Sequence, residues 1–205
     1  MKYQSLLRTF PAILACALAA PLAHATSYEI GTGSSVSANT GDPLLISTSF
    51  VSGLSDVQFN LNDGESHTFG FFKIWTTEGN VGNEDKAPVA ISATLDFDNP
   101  LNGNADFLGV TFGGTANWGF NQWGEVTWNA PVTLQSGGFK FEVSLSDEVF
   151  NSGILWGLDE GKRSGAIVQA TVKQISSNVP DSGSTVALMG LSLVVVGAIA
   201  RRRRS

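Results

Sequence analysis

The 205-residue sequence has one cysteine, Cys16, and two histidines, His24 and His67. A single cysteine excludes an intrachain disulfide and a cysteine-built zinc site. There is no Gly-rich phosphate loop of the Walker type and no paired-histidine metal motif, so the common signatures of nucleotide and zinc chemistry are missing. Basic residues are scarce through the middle of the chain. From Thr26 to Asn178 six of them stand against 17 acidic residues, a net charge of about −11. Such a segment repels nucleic acid and anionic membrane surfaces. It also shows no sustained 3.6-residue apolar period, which leaves strands as its regular structure.

What is present is concentrated first at the two ends. Lys2 and Arg8 precede a largely Ala and Leu stretch from Phe10 to Leu22, and Ala23-His24-Ala25 puts small residues where a signal peptidase reads. This predicts a signal peptide over residues 1–25, cut after Ala25. A competing reading takes Ile13-Leu14-Ala15-Cys16 as a lipoprotein box with Cys16 acylated; its apolar lead-in is short and the downstream site is better.

At the other end, Val179-Pro180-Asp181-Ser182-Gly183 leads into an uncharged run from Val186 to Ala200, closed by Arg201, Arg202, Arg203 and Arg204. Pro180 holds Val179 extended, and Asp181, Ser182 and Gly183 form turns, so the pentapeptide is exposed to a processing enzyme. A helix over 186–200 is about 22 Å long at 1.5 Å per residue, shorter than the roughly 30 Å hydrocarbon core. Snorkelling arginine stems make up part of the difference, and the positive-inside rule keeps the four arginines cytoplasmic. Everything N-terminal to Val186 is then on the far side of the membrane.

These residues resemble the C-terminal sorting signals of the PEP-CTERM class, in the variant whose motif reads Val-Pro-Asp-Ser-Gly. The resemblance covers residues 179–205 and implies an exosortase, a membrane-embedded protease or transpeptidase, as the processing partner. It also implies passage through a membrane-anchored intermediate to the cell surface or extracellular matrix, in the company of extracellular polysaccharide and biofilm. The common motif of the class is Pro-Glu-Pro, so the subtype rests on the pentapeptide alone. The sortase signal Leu-Pro-x-Thr-Gly has the same plan, but Val179 and Ser182 depart from it.

Residues 26–178 form the payload, the size of one domain. Val89, Ile91, Ala93, Leu95 and Phe97 alternate with polar or small residues, as do Phe139, Phe141, Val143 and Leu145, which is the pattern of half-buried strands. Val57, Phe59 and Leu61 repeat it, and Asn62-Asp63-Gly64 predicts a tight hairpin onto a strand from His67 to Thr77. Further strands are expected at 44–50, 107–112, 125–129 and 166–175. The fold class is therefore all-β: an antiparallel β-sandwich, jelly-roll or immunoglobulin-like, between a signal peptide and a single C-terminal transmembrane helix.

Three constellations in the payload bear on function. Trp118, Phe120, Trp123 and Trp128 lie beside Asn117, Asn121, Gln122 and Glu125, the mixture of flat rings and amides that binds sugars. Trp118, Phe120, Val126 and Trp128 are expected mainly in the core, with Trp123 the exposed ring and Trp118 a second candidate sugar contact. Asp96, Asp98 and Asp106, with Asn99, Asn102 and Asn104, could supply oxygens to calcium; Pro100 and the missing closing Glu exclude an EF-hand. A solvated interstrand loop without a cofactor is the expectation. His67 is the one histidine left after signal removal and is expected to be an ordinary strand residue. The resulting reading is a non-catalytic exported surface protein, with a carbohydrate-binding module as the alternative and an extracellular hydrolase as a weaker one.

Overall fold

In the computed structural model, residues 25–38, 44–116, 119–136, 138–154 and 156–176 are described. They belong to one compact unit, Ala25–Asn178. Twelve strands follow the chain: β1 (Thr26–Ile30), β2 (Ser35–Ala38), β3 (Ile46–Phe50), β4 (Gln58–Leu61), β5 (Ser66–Thr76) and β6 (Val89–Asn99), then β7 (Gly103–Ala116), β8 (Asn121–Trp128), β9 (Val132–Ser136), β10 (Phe139–Leu145), β11 (Glu148–Ile154) and β12 (Ala166–Ser176). Among the described residues no helix is long and apolar enough to cross a membrane. The expected signal peptide up to His24, the sorting pentapeptide, the helix over 186–200 and the arginine tetrad lie outside the described residues.

The strands form two antiparallel sheets. The first has the order β11-β8-β7-β6-β1-β4, with β2 also on β6; the second has the order β3-β5-β12-β10-β9. Alternation explains which side each strand turns inward. Ile91, Ala93, Leu95 and Phe97 of β6 are buried, as are Phe141 and Val143 of β10 and Val168, Ala170 and Val172 of β12. Rings from the two sheets meet edge-on: Tyr28 and Phe97 each lie 5.2 Å from Phe141, and Phe72 lies 6.1 Å from Trp128. One aromatic core is therefore shared by β1, β6 and β8 on one side and β5 and β10 on the other. Each fully buried Phe there contributes about 1.5–3 kcal/mol.

β1 and β2 share one edge of β6, Ile30 opposite Phe97 and Ser35 opposite Thr94. The break between them is stapled by Asp96. Its carbonyl accepts from Gly31 N at 2.9 Å, its Oδ2 accepts from Gly33 N at 2.8 Å, and its own N–H donates to Ser34 Oγ. A Cβ on Gly31 would lie 2.2 Å from that Oδ2, so a larger residue there would push the Asp96 carboxylate out of the staple.

The expected Asn62-Asp63-Gly64 hairpin is corrected. The turn exists, with Gly64 at φ +84° and Glu65 N bonded to the Asn62 carbonyl, but β4 pairs with β1 while β5 pairs with β3 and β12. The chain changes sheets there because Gly64 and Glu65 spend their backbone groups on Gln174 of β12. Glu65 fixes the corner: its carboxylate accepts from the Asn62 backbone N–H and side-chain amide, which holds its pKa below the ordinary carboxylate value.

The pairings are nested. β9–β10 in the second sheet sits inside β8–β11 in the first, which sits inside β5–β12 in the second. Register also places both ends of the unit together. Thr26 lies opposite Leu61, and Ser176 opposite Lys140, beside the Asn62–Glu65 corner that bonds to Gln174. Ala116, Asn121, Ile154, Thr76 and Ala166 lie at the opposite end.

Candidate functional site

Trp123 sits on β8, where Gln122 and Val126 turn inward. Its indole is therefore on the outer face of the first sheet and is half-buried. Gly114 of β7 is directly opposite, and a Cβ there would come within 2.2–2.5 Å of indole atoms. The ring thus lies flat on the glycine, and its Nε1 donates to Glu125 Oε2 at 3.3 Å. Two further glycines are covered the same way across the ladder, Gly109 by Trp128 and Gly124 by Phe150, both on the core face. Aromatic cover restores the packing that a strand glycine lacks. On the outer face, Glu125 is flanked by Phe112 and Val149, and Leu108 and Val149 are 63% and 54% exposed.

Val126 and Trp128 face the core as expected, but Phe120 does not. It is in the β7–β8 connection, exposed, its ring centroid 4.2 Å from that of Trp156. The turn at Gly119, φ +90°, carries Phe120 out of the alternation before β8 begins. Trp118 lies outside the described residues. Trp156 was not singled out by the sequence, because nothing in Ile154-Leu155-Trp156-Gly157 announces a residue at φ +74°. It is 57% exposed, and Ile154, at the end of β11, is 79% exposed.

The segment carrying Trp156 is anchored from beneath. Asn151, fully buried at φ 52°, accepts from Thr76 N at 2.9 Å through Oδ1 and donates through Nδ2 to the carbonyls of Asp159 and Gly161. Leu158 N donates to the Gly79 carbonyl at 2.8 Å. The Asn80 amide, oriented with its nitrogen toward the two nearby carbonyls, donates to Gly79 and Trp156. Val81 N donates to Gln122 Oε1 at 2.6 Å, tying the β5–β6 connection to β8.

The oxygen-rich stretch is strand more than loop. Asp96 and Asp98 belong to β6, Asp106 to β7, and the connection is reduced to Pro100–Asn102. Asp96 is engaged with Gly33, Asp98 Oδ1 lies against Gly31, and Asp106 Oδ1 accepts from Thr94 Oγ1 at 2.7 Å. Among the described residues no group of three or more His, Cys, Asp or Glu side chains is placed to hold a metal ion. His67 stacks on Phe59 at 4.3 Å and lies beside Phe69. Beyond these, an open cleft of about 280 Å³ lies between the Gly31–Ser34 break and the β3–β4 connection, lined by Thr32, Ser34, Phe50, Val51 and Ser55.

The chain carries a VPDSG-CTERM motif, a PEP-CTERM-type C-terminal sorting signal, matched by its family model over residues 178–204. The match takes in the pentapeptide Val179–Gly183, the apolar run and the four arginines. Comparison with the curated proteins and with the solved structures gives no match.

Proposed function

We propose that this chain is a non-catalytic exported protein that an exosortase processes at Val179–Gly183 and delivers to the cell surface or extracellular matrix. The matched sorting signal carries this reading. Residues 186–200 hold the chain in the cytoplasmic membrane as an intermediate, and Arg201–Arg204 keep its end cytoplasmic. Signal peptidase cuts after Ala25, which leaves Thr26, the first residue of β1, as the new N-terminus. The payload is a β-sandwich, and the alternating nested pairs favour a jelly-roll over an immunoglobulin connection. The non-catalytic reading draws on His67, whose ring is used in stacking on Phe59. Replacing Pro180 and Asp181 together by alanine is expected to leave most of the chain in the membrane fraction with its arginines attached. Unaltered processing of that variant would contradict the proposal.

The second reading is carbohydrate binding, favoured by the way Trp123 lies flat on Gly114 with Glu125 at its edge. An indole on an outer sheet face offers its free side to the C–H face of a pyranose, and the carboxylate receives hydroxyls. Extracellular polysaccharide is the natural ligand class for a matrix protein. Trp123→Ala is expected to weaken retention on neutral glycan by about tenfold or more, the size of a contact worth 1.4 kcal/mol or above. An unfolding transition kept within a few degrees would assign the loss to the ring.

A further inference from the structure

We infer that the end of the β unit opposite both of its chain ends is a second glycan contact, built from Trp156, Phe120 and Ile154; this rests on the carbohydrate reading above. Three observations converge on this end. The first is exposure: Trp156 and Ile154 are 57% and 79% exposed, and Phe120 packs against Trp156 at 4.2 Å with the rings inclined by 45°. Ile154 is paired with Asn121, next to Phe120 in sequence and two residues from Trp123, so the cluster is continuous with the outer face.

The second is the backbone. Trp156 is held at φ +74°, a conformation that a bulky side chain enters only under constraint. The constraint is visible in Asn80 on its carbonyl, Leu158 on the Gly79 carbonyl, and Gly153, where a Cβ would meet the Gly157 carbonyl oxygen at 2.1 Å. The scaffold holds a large apolar ring outward rather than letting it fold back. A ring fixed before binding loses little entropy on contact.

The third is direction and charge. Thr26 and Ser176 lie at the other end of the sheets, so neither end strand of the unit covers this cluster. A partner must tolerate an acidic protein. The payload's net charge of about −11 opposes a second copy of itself and an anionic lipid surface, whereas a neutral glycan carries no charge to repel. Stacking of the rings against C–H faces then supplies the affinity.

The test uses the exported protein purified from its producing cells. Retention is measured on insoluble cellulose, xylan and mannan, with cosedimentation on phosphatidylcholine and phosphatidylcholine/phosphatidylglycerol vesicles and sedimentation velocity alongside. Trp156→Gly is the informative variant, because glycine accepts φ +74° without strain and the fold is kept. It is expected to lower retention on a neutral glycan by about tenfold or more, with an unfolding temperature equal to or above the parent's. Ile154→Ser is expected to lower it by a smaller factor. Retention abolished by Trp123→Ala but unmoved by Trp156→Gly would overturn this inference and leave the carbohydrate reading standing. Absence of retention on all three glycans would remove both. Vesicle binding or dimerisation that disappears in Trp156→Gly would assign the cluster to another partner and overturn the glycan contact.

Discussion

Replacing Asn151 by alanine is expected to destabilise the β unit by about 3–5 kcal/mol, among the largest losses available to a single side chain here. The substitution strands the fully buried Thr76 N–H and removes the donor from the part-buried Asp159 and Gly161 carbonyls. Each buried group left without a partner costs about 1–3 kcal/mol. Alanine also tolerates φ 52° less well than asparagine does. For a domain of this size the loss lowers the unfolding temperature by roughly 8–15 °C, readable by calorimetry. Asn151→Gly separates the two causes. It relieves the backbone and still loses all three hydrogen bonds, so a near-neutral Asn151→Gly would show that strain, not bonding, dominates at this position.

The second large effect is expected at alkaline pH. Tyr28 is fully buried between the sheets, and its hydroxyl donates to Gln174 Oε1. Burial first, and the negative charge of Asp63 second, push its pKa above the ordinary 10.0. The folded protein therefore holds the phenol proton more tightly than the unfolded chain. The stabilisation is complete below pH 10 and is lost as pH rises from there toward the folded pKa, by about 1.4 kcal/mol per pH unit. Denaturant midpoints measured from pH 8 upward are expected to fall beyond pH 10 in the parent and to fall less in Tyr28→Phe. The variant is less stable at neutral pH by about 1–3 kcal/mol, because Gln174, whose Nε2 already lacks a partner, loses its Oε1 donor too. Parallel pH profiles for the two proteins would contradict this account of the pair.

The sequence pattern was most informative where one face of a strand is buried along its full length. β6, β10 and β12 carry three or more alternating apolar residues each, and their inward sets are the ones alternation names. β1, β2, β9 and β11 escaped for physical reasons. β1 and β2 are five and four residues long and are split by the Asp96 staple, and β9 is a five-residue edge. β11 loses its alternation at the register shift between Phe150 and Gly153, where Asn151 turns to φ 52°. The Asn62-Asp63-Gly64 turn was legible, but its partner was not. A turn motif reports local backbone angles, whereas a hairpin and a crossing between sheets differ in which distant strand takes the flanking backbone groups.

The candidate surfaces divide along the same line. Alternation puts Trp123 opposite Val126 in facing, but the ring expected to be exposed is half-buried, and its flat seat on Gly114 depends on the β7–β8 register. Phe120 was misplaced because a two-residue spacing to Trp118 resembles a strand that in fact has ended in a turn. Trp156 depends on a network running from Asn80 to Asn151, which no local pattern encodes. The sorting signal needed no tertiary information at all. Its pentapeptide, apolar run and arginines are contiguous, so the chemistry that a processing enzyme reads lies in the sequence itself.

The central claim is that the last segment of this chain is removed during export, and intact-mass measurement tests it most directly. Protein recovered from the membrane, the cell surface and the medium of producing cells is to be weighed and its C-terminus sequenced by fragmentation. The account predicts a chain beginning at Thr26, ending within or before Val179–Gly183 and lacking Arg201–Arg204 outside the membrane fraction. A full-length species ending at Ser205, found in the cytosol with both ends uncut, would contradict it.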